Sequence, residues 1–276
     1  MNILDKIISQ KEKEVAERKS LYPIKLLERS TFFESPTVSF KKYLLREDKV
    51  GIIAEFKRKS PSKGIINKYA DVERTSIGYM QAGASALSVL TDSEFFGGKN
   101  EDLTIARKFN YCPILRKDFI IDEYQIVEAK SIGADVVLLL ANVLSAAQIK
   151  QFAEFAKSMG LEVLLEIRDK EELNSVNQFV DAVGVNNRNL KDFSVNVSQS
   201  FDLAKFIPAD FIKISESGID EAKTIVELKE AGFNGFLMGE TFMKSSRPEI
   251  ACANFIKEVY AFSVGANTGK NNLIQA

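Results

Sequence analysis

Three features of this 276-residue chain predict an α/β protein, a (β/α)8 or TIM barrel with an N-terminal helical extension. Four helix-to-strand junctions echo one another, eight apolar runs succeed each other at steady intervals, and polar residues gather just beyond the ends of those runs. The echoes are YMQAG-ASALSVL, AKSIG-ADVVLLL, AKSMG-LEVLLEI and LKEAG-FNGFLMG, in which a helical stretch stops at Gly83, Gly133, Gly160 or Gly232 and a β-leaning run begins at once. Glycine just past a helix end takes the left-handed conformation that closes the last turn, so each echo reads as the α-to-β half of a repeating unit.

The elements come in order. MNILDKIISQKEKEV carries apolar pairs at Ile3/Leu4 and Ile7/Ile8, the spacing of an amphipathic helix rather than the continuous apolar core of a signal peptide. Residues 1–48 are expected to form a helical extension that stays on the mature protein. Candidate strands lie near 50–55, 86–90, 113–116, 135–140, 162–166, 181–186, 211–215 and 235–238, with starts about 20 to 36 residues apart. Between them Asp122, Ser145, Asp169 and Asp220 are acceptable helix N-caps. Uninterrupted apolar strands alternating with helices imply a parallel sheet covered on its outer face, and eight units suit a closed barrel. A doubly wound open sheet is the alternative that the pattern leaves open. No Pro-, Gly- or Ser-rich linker divides the chain, so residues 1–276 read as one domain, with a tail from about Gly265 expected to fray.

Composition narrows the chemistry. With 37 Lys+Arg against 38 Asp+Glu, the formal charge of -1 favours neither nucleic acid nor an anionic membrane, so any anion site must be local. The longest strongly apolar run, Val136 to Ala141, is far short of the ~20 residues of a membrane span. Cys112 and Cys252 have no CxxC spacing and fit a reducing, cytoplasmic compartment as small core residues. The absence of histidine removes Ser-His-Asp triads, Cys-His pairs and His-based metal sites, leaving acid–base work to Lys, Glu or Asp.

In a barrel of this kind the active site forms at the C-terminal ends of the strands. The first run delivers Glu55 and Lys57, two apart and on one side of an extended chain. The third delivers Lys117, on the same side as Leu115 and Phe119; the fifth ends at Glu166, the sixth at Asn186 and Arg188, the seventh at Glu216 and Ser217. Each taken singly has a plainer reading: a solvated ion pair for Glu55–Lys57, surface charge for Lys117 between Arg116 and Asp118, an exposed strand-end carboxylate for Glu166, turn residues for Asn186–Asn187, and a solvated loop for the cations from Lys57 to Lys63. The coincidence of five strand ends is what points to a site.

The last two loops of such barrels often bind phosphate through backbone N–H groups. Here they carry Ser217–Gly218 and Gly239–Glu240, whose glycines let backbone approach an anion, and Lys59 and Ser60 of the first loop are placed to close over it. Each glycine is equally a turn device.

On these residues the sequence closely resembles the indole-3-glycerol phosphate synthase family. The matching stretches are IIAEFKRKSPSKG (52–64), LSVLTDSEFFGG (87–98), PILRKDFIIDEYQI (113–126), LLEI (164–167), GVNNRNL (184–190), SESGI (215–219) and FLMGETFM (236–243), with Glu240 where some relatives have serine. The resemblance implies a lyase of tryptophan biosynthesis that closes, decarboxylates and dehydrates 1-(2-carboxyphenylamino)-1-deoxyribulose 5-phosphate, with no metal and no organic cofactor; a single barrel with no second domain suggests a monofunctional enzyme. It implies Lys117 as general acid, Glu166 as its acid–base partner, Lys57 on the substrate carboxylate or as a second acid, and Glu55 and Asn186 as orienting groups. Arg188, Glu216 and Ser217 complete the polar wall, Phe96 and Phe119 clamp the aromatic ring, and Ser60, Gly218, Gly239 and Glu240 meet the substrate. A free lysine, with a pKa of roughly 10.4, is a poor acid at neutral pH, so neighbouring cations and partial burial are expected to lower that of Lys117. The implied partner is a small phosphorylated molecule, not nucleic acid or membrane, acted on by a monomer or weak homo-oligomer. Rival readings are another phosphate-binding barrel enzyme, such as a sugar-phosphate isomerase or a Schiff-base aldolase using Lys117, and a non-catalytic polyanion-binding barrel.

Overall fold

The computed structural model describes residues 2–190 and 192–273, the last ten as backbone only. Eight parallel strands form a closed barrel: β1 Ile52–Phe56, β2 Ala86–Leu90, β3 Ile114–Lys117, β4 Val136–Leu140, β5 Glu162–Ile167, β6 Ala182–Asn186, β7 Ile212–Glu216 and β8 Gly235–Met238. Closure is explicit in the register, since β1 pairs with β2 (Ile53 opposite Ala86) and also with β8 (Ile52 opposite Phe236). With every strand paired on both sides there is no free edge, which excludes an open sheet.

Alternation along each strand explains why the runs are apolar throughout. On β4, Val136, Leu138 and Leu140 point into the barrel, while Val137 and Leu139 join the layer beneath the helices. Both faces are buried, so both must be apolar. Outside lie α4 Val72–Ala82, α5 Asn100–Phe109, α6 Glu123–Ser131, α7 Ala146–Ser158, α8 Ser198–Ala204, α9 Ala222–Glu230, α10 Glu240–Met243 and α11 Pro248–Leu273, preceded by α1 Ile3–Leu21, α2 Ile24–Leu27 and α3 Phe40–Leu44 of the extension. The tail expected to fray from about Gly265 falls on the end of α11, and residues 274–276 lie outside the described residues.

Gly83, Gly133, Gly160 and Gly232 all have positive φ, as the echoed junctions require. Asp122 and Ser145 cap α6 and α7 through their side chains. Two expected caps differ. Asp169 accepts from Glu172 N–H at 2.9 Å, but the helix it opens is a single 3-10 turn, Glu172–Ser175, because Asn177 turns the chain by taking Phe179 N–H onto its own side chain. Asp220 does not cap α9, where Glu221 holds the cap position with no side-chain bond; Asp220 lines the barrel mouth instead.

The extension meets the barrel at both ends. Phe40 and Leu44 of α3 pack against the interior layer, and Lys41 N–H donates to Glu162 at the start of β5, so α3 closes the N-terminal end. Ile3 and Ile7 of α1 reach the mouth and line its cavity.

Candidate active site

A cavity of about 460 Å³ opens at the C-terminal ends of the strands. Of the predicted site residues, Glu55, Lys57, Ser60, Phe96, Lys117, Phe119, Glu166, Asn186, Arg188, Glu216, Ser217, Gly218, Gly239 and Glu240 all line it.

Its centre is Lys117, the last residue of β3. The ammonium donates to Glu166 Oε2 and Glu216 Oε2, each at 2.8 Å, and Asn186 Nδ2 donates to Glu166 Oε1 at 2.8 Å. Burial by itself would lower the Lys117 pKa, but the two carboxylates outweigh it and hold the group above the ordinary lysine range. The expected lowering is thus reversed: the near neighbours of Lys117 are anions, because Arg116 points to the other side of β3 and pairs there with Glu128. Burial also opposes ionisation of Glu166, yet Lys117 and the Asn186 amide keep its pKa below the usual carboxylate value. Glu216 goes the other way, pushed up to about 8 by burial and the adjacent Glu166 charge. One carboxylate is held ionised and its neighbour inclined to keep a proton, which is how two like groups divide acid and base roles.

Space for these groups comes from glycine. A Cβ on Gly184 of β6 would lie 2.3 Å from Glu216 Oε1, and one on Gly239 would lie 2.5 Å from Glu55 Oε1. Glu55 accepts from Lys57 Nζ at 2.5 Å, so the second lysine also enters the cavity paired. Of the cations beyond β1, Lys57 and Lys63 line the cavity. Arg58 leaves to bind Asp102 at 2.5 and 3.0 Å. Lys59, expected to close over a phosphate, donates instead to Glu94 O, because Lys59–Ser60 pairs antiparallel with Gly64–Ile65 in a small hairpin docked against the loop after β2.

At the other end of the cavity Ser217 has φ 69, the left-handed region that a non-glycine residue adopts only under restraint, and Gly218 comes next at φ 77. Glu240 Oε2 accepts from Arg188 at 3.2 Å and its Oε1 lies 3.5 Å from Lys63 Nζ. Phe96 and Phe119 face each other at 6.0 Å with a 38° tilt on the remaining wall.

One group was missed by residue-by-residue reading. Lys11 of α1 is buried, with Nζ 2.9 Å from Glu14, 3.0 Å from Asp92 and 2.9 Å from Asp118. Asp118 sits between Lys117 and Phe119, and Asp92 accepts from Phe95 N–H at 2.8 Å, so this lysine ties α1 to both loops that carry the aromatic wall. The signal was present: Ile7, Lys11 and Val15 recur every four residues and are the buried residues of α1, which puts a charge on an apolar stripe.

A closed parallel barrel whose mouth joins paired lysines and carboxylates to glycine-containing turns after its last strands is the architecture of a barrel enzyme equipped for acid–base chemistry. Comparison with known proteins makes this particular. Residues 4–255 match the family model for indole-3-glycerol phosphate synthase. The chain is 47% identical to the indole-3-glycerol phosphate synthase of Bacteroides thetaiotaomicron over 94% of this chain and 99% of that protein. It is 42% identical to that of Campylobacter jejuni over 88% and 95%. The chain belongs to the indole-3-glycerol phosphate synthase family. Among solved structures it is similar in fold to a chain of the tryptophan synthase a2b2 complex of Pyrococcus furiosus, with a TM-score of 0.56 at 16% identity, covering 78% of this chain and 99% of that one.

Proposed function

We propose that this chain converts 1-(2-carboxyphenylamino)-1-deoxyribulose 5-phosphate to indole-3-glycerol phosphate, CO2 and water. The observation that carries the reading is the Lys117 ammonium set between Glu166 and Glu216 at 2.8 Å on the floor of an aromatic-walled cavity. As the ring carbon bearing the carboxylate attacks the ketone, the ketone oxygen becomes a strongly basic alkoxide, and Lys117 gives it a proton. Loss of CO2 returns the bonding pair to the ring. The new hydroxyl then leaves as water and a proton is removed to complete the indole, with Glu166 as the proton carrier for this dehydration. Lys57 binds the departing carboxylate, Glu55 holds Lys57, Asn186 aims Glu166, and Phe96 and Phe119 clamp the aromatic ring. Ser60, Arg188, Ser217, Gly218, Gly239 and Glu240 take the phosphate end. The turn there supplies backbone close to the anion, with Arg188 as the cation.

The carboxylates around Lys117 hold it as the ammonium and so withhold the free amine that a Schiff-base aldolase needs, leaving it able to protonate only a strongly basic oxygen such as the alkoxide. Borohydride with substrate is accordingly expected to leave no adduct on Lys117. We place the enzyme in the cytoplasm, consistent with two unpaired buried cysteines, as a monomer or weak homo-oligomer. Among the described residues no helix is long and apolar enough to cross a membrane.

The test is the appearance of indole fluorescence when the purified protein meets the carboxyphenylamino ketose phosphate. Lys117→Ala and Glu166→Gln are each expected to lower turnover by about 10²- to 10⁴-fold with the far-UV circular dichroism unchanged. No product from the parent protein defeats the function, and near-parental rates in both variants defeat the assignment of the two residues.

A further inference from the structure

Behind the Ser217–Gly218 turn lies a buried ring of three side chains that does not touch the cavity. Asn187 Nδ2 donates to Ser215 Oγ and to Ser217 O, both at 3.1 Å. Ser200 Oγ donates to Asn187 Oδ1 at 2.8 Å and lies 2.7 Å from Ser215 Oγ. A serine has one hydroxyl proton, and that of Ser200 goes to Asn187; the proton between the two serines therefore belongs to Ser215. The bonds close head to tail, from Asn187 to Ser215 to Ser200 and back to Asn187. One amide proton is left over, and the Ser217 carbonyl receives it. Flipping the amide would set Oδ1 against that carbonyl, so the ring has one direction only. All three residues are almost wholly buried.

What the ring grips is the strained point of the site. Ser217 stands at φ 69, a conformation that glycine adopts freely and serine does not. We propose that Asn187 is a positioning residue, which through its bond to the Ser217 carbonyl holds Ser217 left-handed and so presents the Ser217–Gly218 turn to the substrate phosphate. Asn187 and Ser215 hang on β6, β7 and their ends, and Ser200 on α8, so the turn is referenced to rigid elements on two layers. The strain also explains a serine where glycine would sit more easily: the side chain is kept at the mouth and the backbone geometry is imposed from behind.

This inference rests on the reading of that turn as the phosphate site, and the experiment separates the two. Steady-state kinetics are measured on the phosphorylated substrate and on the same ketose lacking its phosphate. The parent protein is expected to show a much lower KM for the phosphorylated form; equal KM values would overturn the phosphate reading and the inference with it. With that preference established, Asn187→Ala is expected to raise the KM of the phosphorylated substrate about tenfold, with kcat within about threefold and the KM of the dephosphorylated one unchanged. Ser200→Ala, which loosens the amide without touching the turn, is expected to do the same to a smaller degree, about threefold, and it carries the test if Asn187→Ala does not fold. In a Ser217→Gly background, where the left-handed turn needs no restraint, Asn187→Ala is expected to change KM by less than about threefold. A KM for the phosphorylated substrate that stays at the parental value in both Asn187→Ala and Ser200→Ala overturns the proposal. So does a rise shared equally by the two substrates, or a full tenfold effect of Asn187→Ala that persists in the Ser217→Gly background.

Discussion

Two lysines are held by two clusters of carboxylates that adjoin at the Lys117–Asp118 peptide bond. Lys117 lies between Glu166 and Glu216, while Lys11 lies between Glu14, Asp92 and the very next residue, Asp118, with every N–O distance near 3 Å. Their surroundings differ. Lys117 is 14% exposed and faces the cavity, and Glu216 Oε1 beside it has no hydrogen-bond partner among the described residues. Lys11 is 1% exposed, and the Asp118 carboxylate it meets is also taken up by Phe119 N–H, Thr91 and Arg116. A sealed and fully satisfied ion cluster holds parts together. The same ions with spare valence and an open side can exchange a proton with a guest.

Exchanging the two lysines for an unbranched apolar side chain should break this comparison most sharply. Lys117→Met is expected to remove turnover by about 10³-fold or more while costing about 1–2 kcal/mol in urea unfolding, because Glu216 already tends to hold a proton and Glu166 faces the cavity. Lys11→Met should invert the pattern. It takes the ammonium away from Asp92 and leaves Asp118 with Arg116 as its cation, and is expected to cost about 3–5 kcal/mol, with kcat per folded molecule within about tenfold of the parent. If both variants lose activity and stability in the same proportion, the division between a working and a structural lysine fails.

Gly184→Ala comes next in size. The added methyl would meet Glu216 Oε1 at 2.3 Å, and a carboxylate tip can move aside without unfolding the barrel. The expected outcome is a roughly tenfold fall in kcat with an unchanged melting temperature, since what is lost is the Glu216–Lys117 distance and not packing.

The two clusters also respond to pH with opposite sign. Glu216 keeps a proton in the folded state from its ordinary 4.5 up to about 8, so its contribution to stability is full below 4.5 and is lost as pH rises through 8. Asp118, where Lys11 and Arg116 overcome burial and hold the carboxyl down to about 2, contributes above 3.8, and that contribution is lost as pH falls through 2. Glu216→Gln should flatten the decline in melting temperature between pH 5 and 8 without altering the acid-side loss. A slope in that window equal to the parent's would show that Glu216 titrates normally. The smallest effect belongs to Lys63→Ala, an exposed cation 3.5 Å from Glu240, where kcat/KM should stay within about threefold.

Much of this site was legible because a parallel barrel converts sequence position into spatial position. The residue that ends each apolar run must stand at the mouth, so Glu55, Lys117, Glu166, Asn186 and Glu216 could be named before any coordinate. The helix-closing glycines, the eight strands and the caps at Asp122 and Ser145 are local matters, set by backbone conformation and by alternation within a few residues. Pairing across the barrel is not local. That Lys117 lies among anions and not cations, that Arg58 and Lys59 turn to the neighbouring loop, and that Lys11 reaches Asp118 from 107 residues away depend on which strand ends and helices become neighbours once the sheet closes. Sequence alone therefore determined which groups come to the mouth, through the periodicity of strand and helix. Tertiary structure decided how those groups are charged and held, because the field at a buried ion and the strain at Ser217 are set by contacts that no short window of sequence contains.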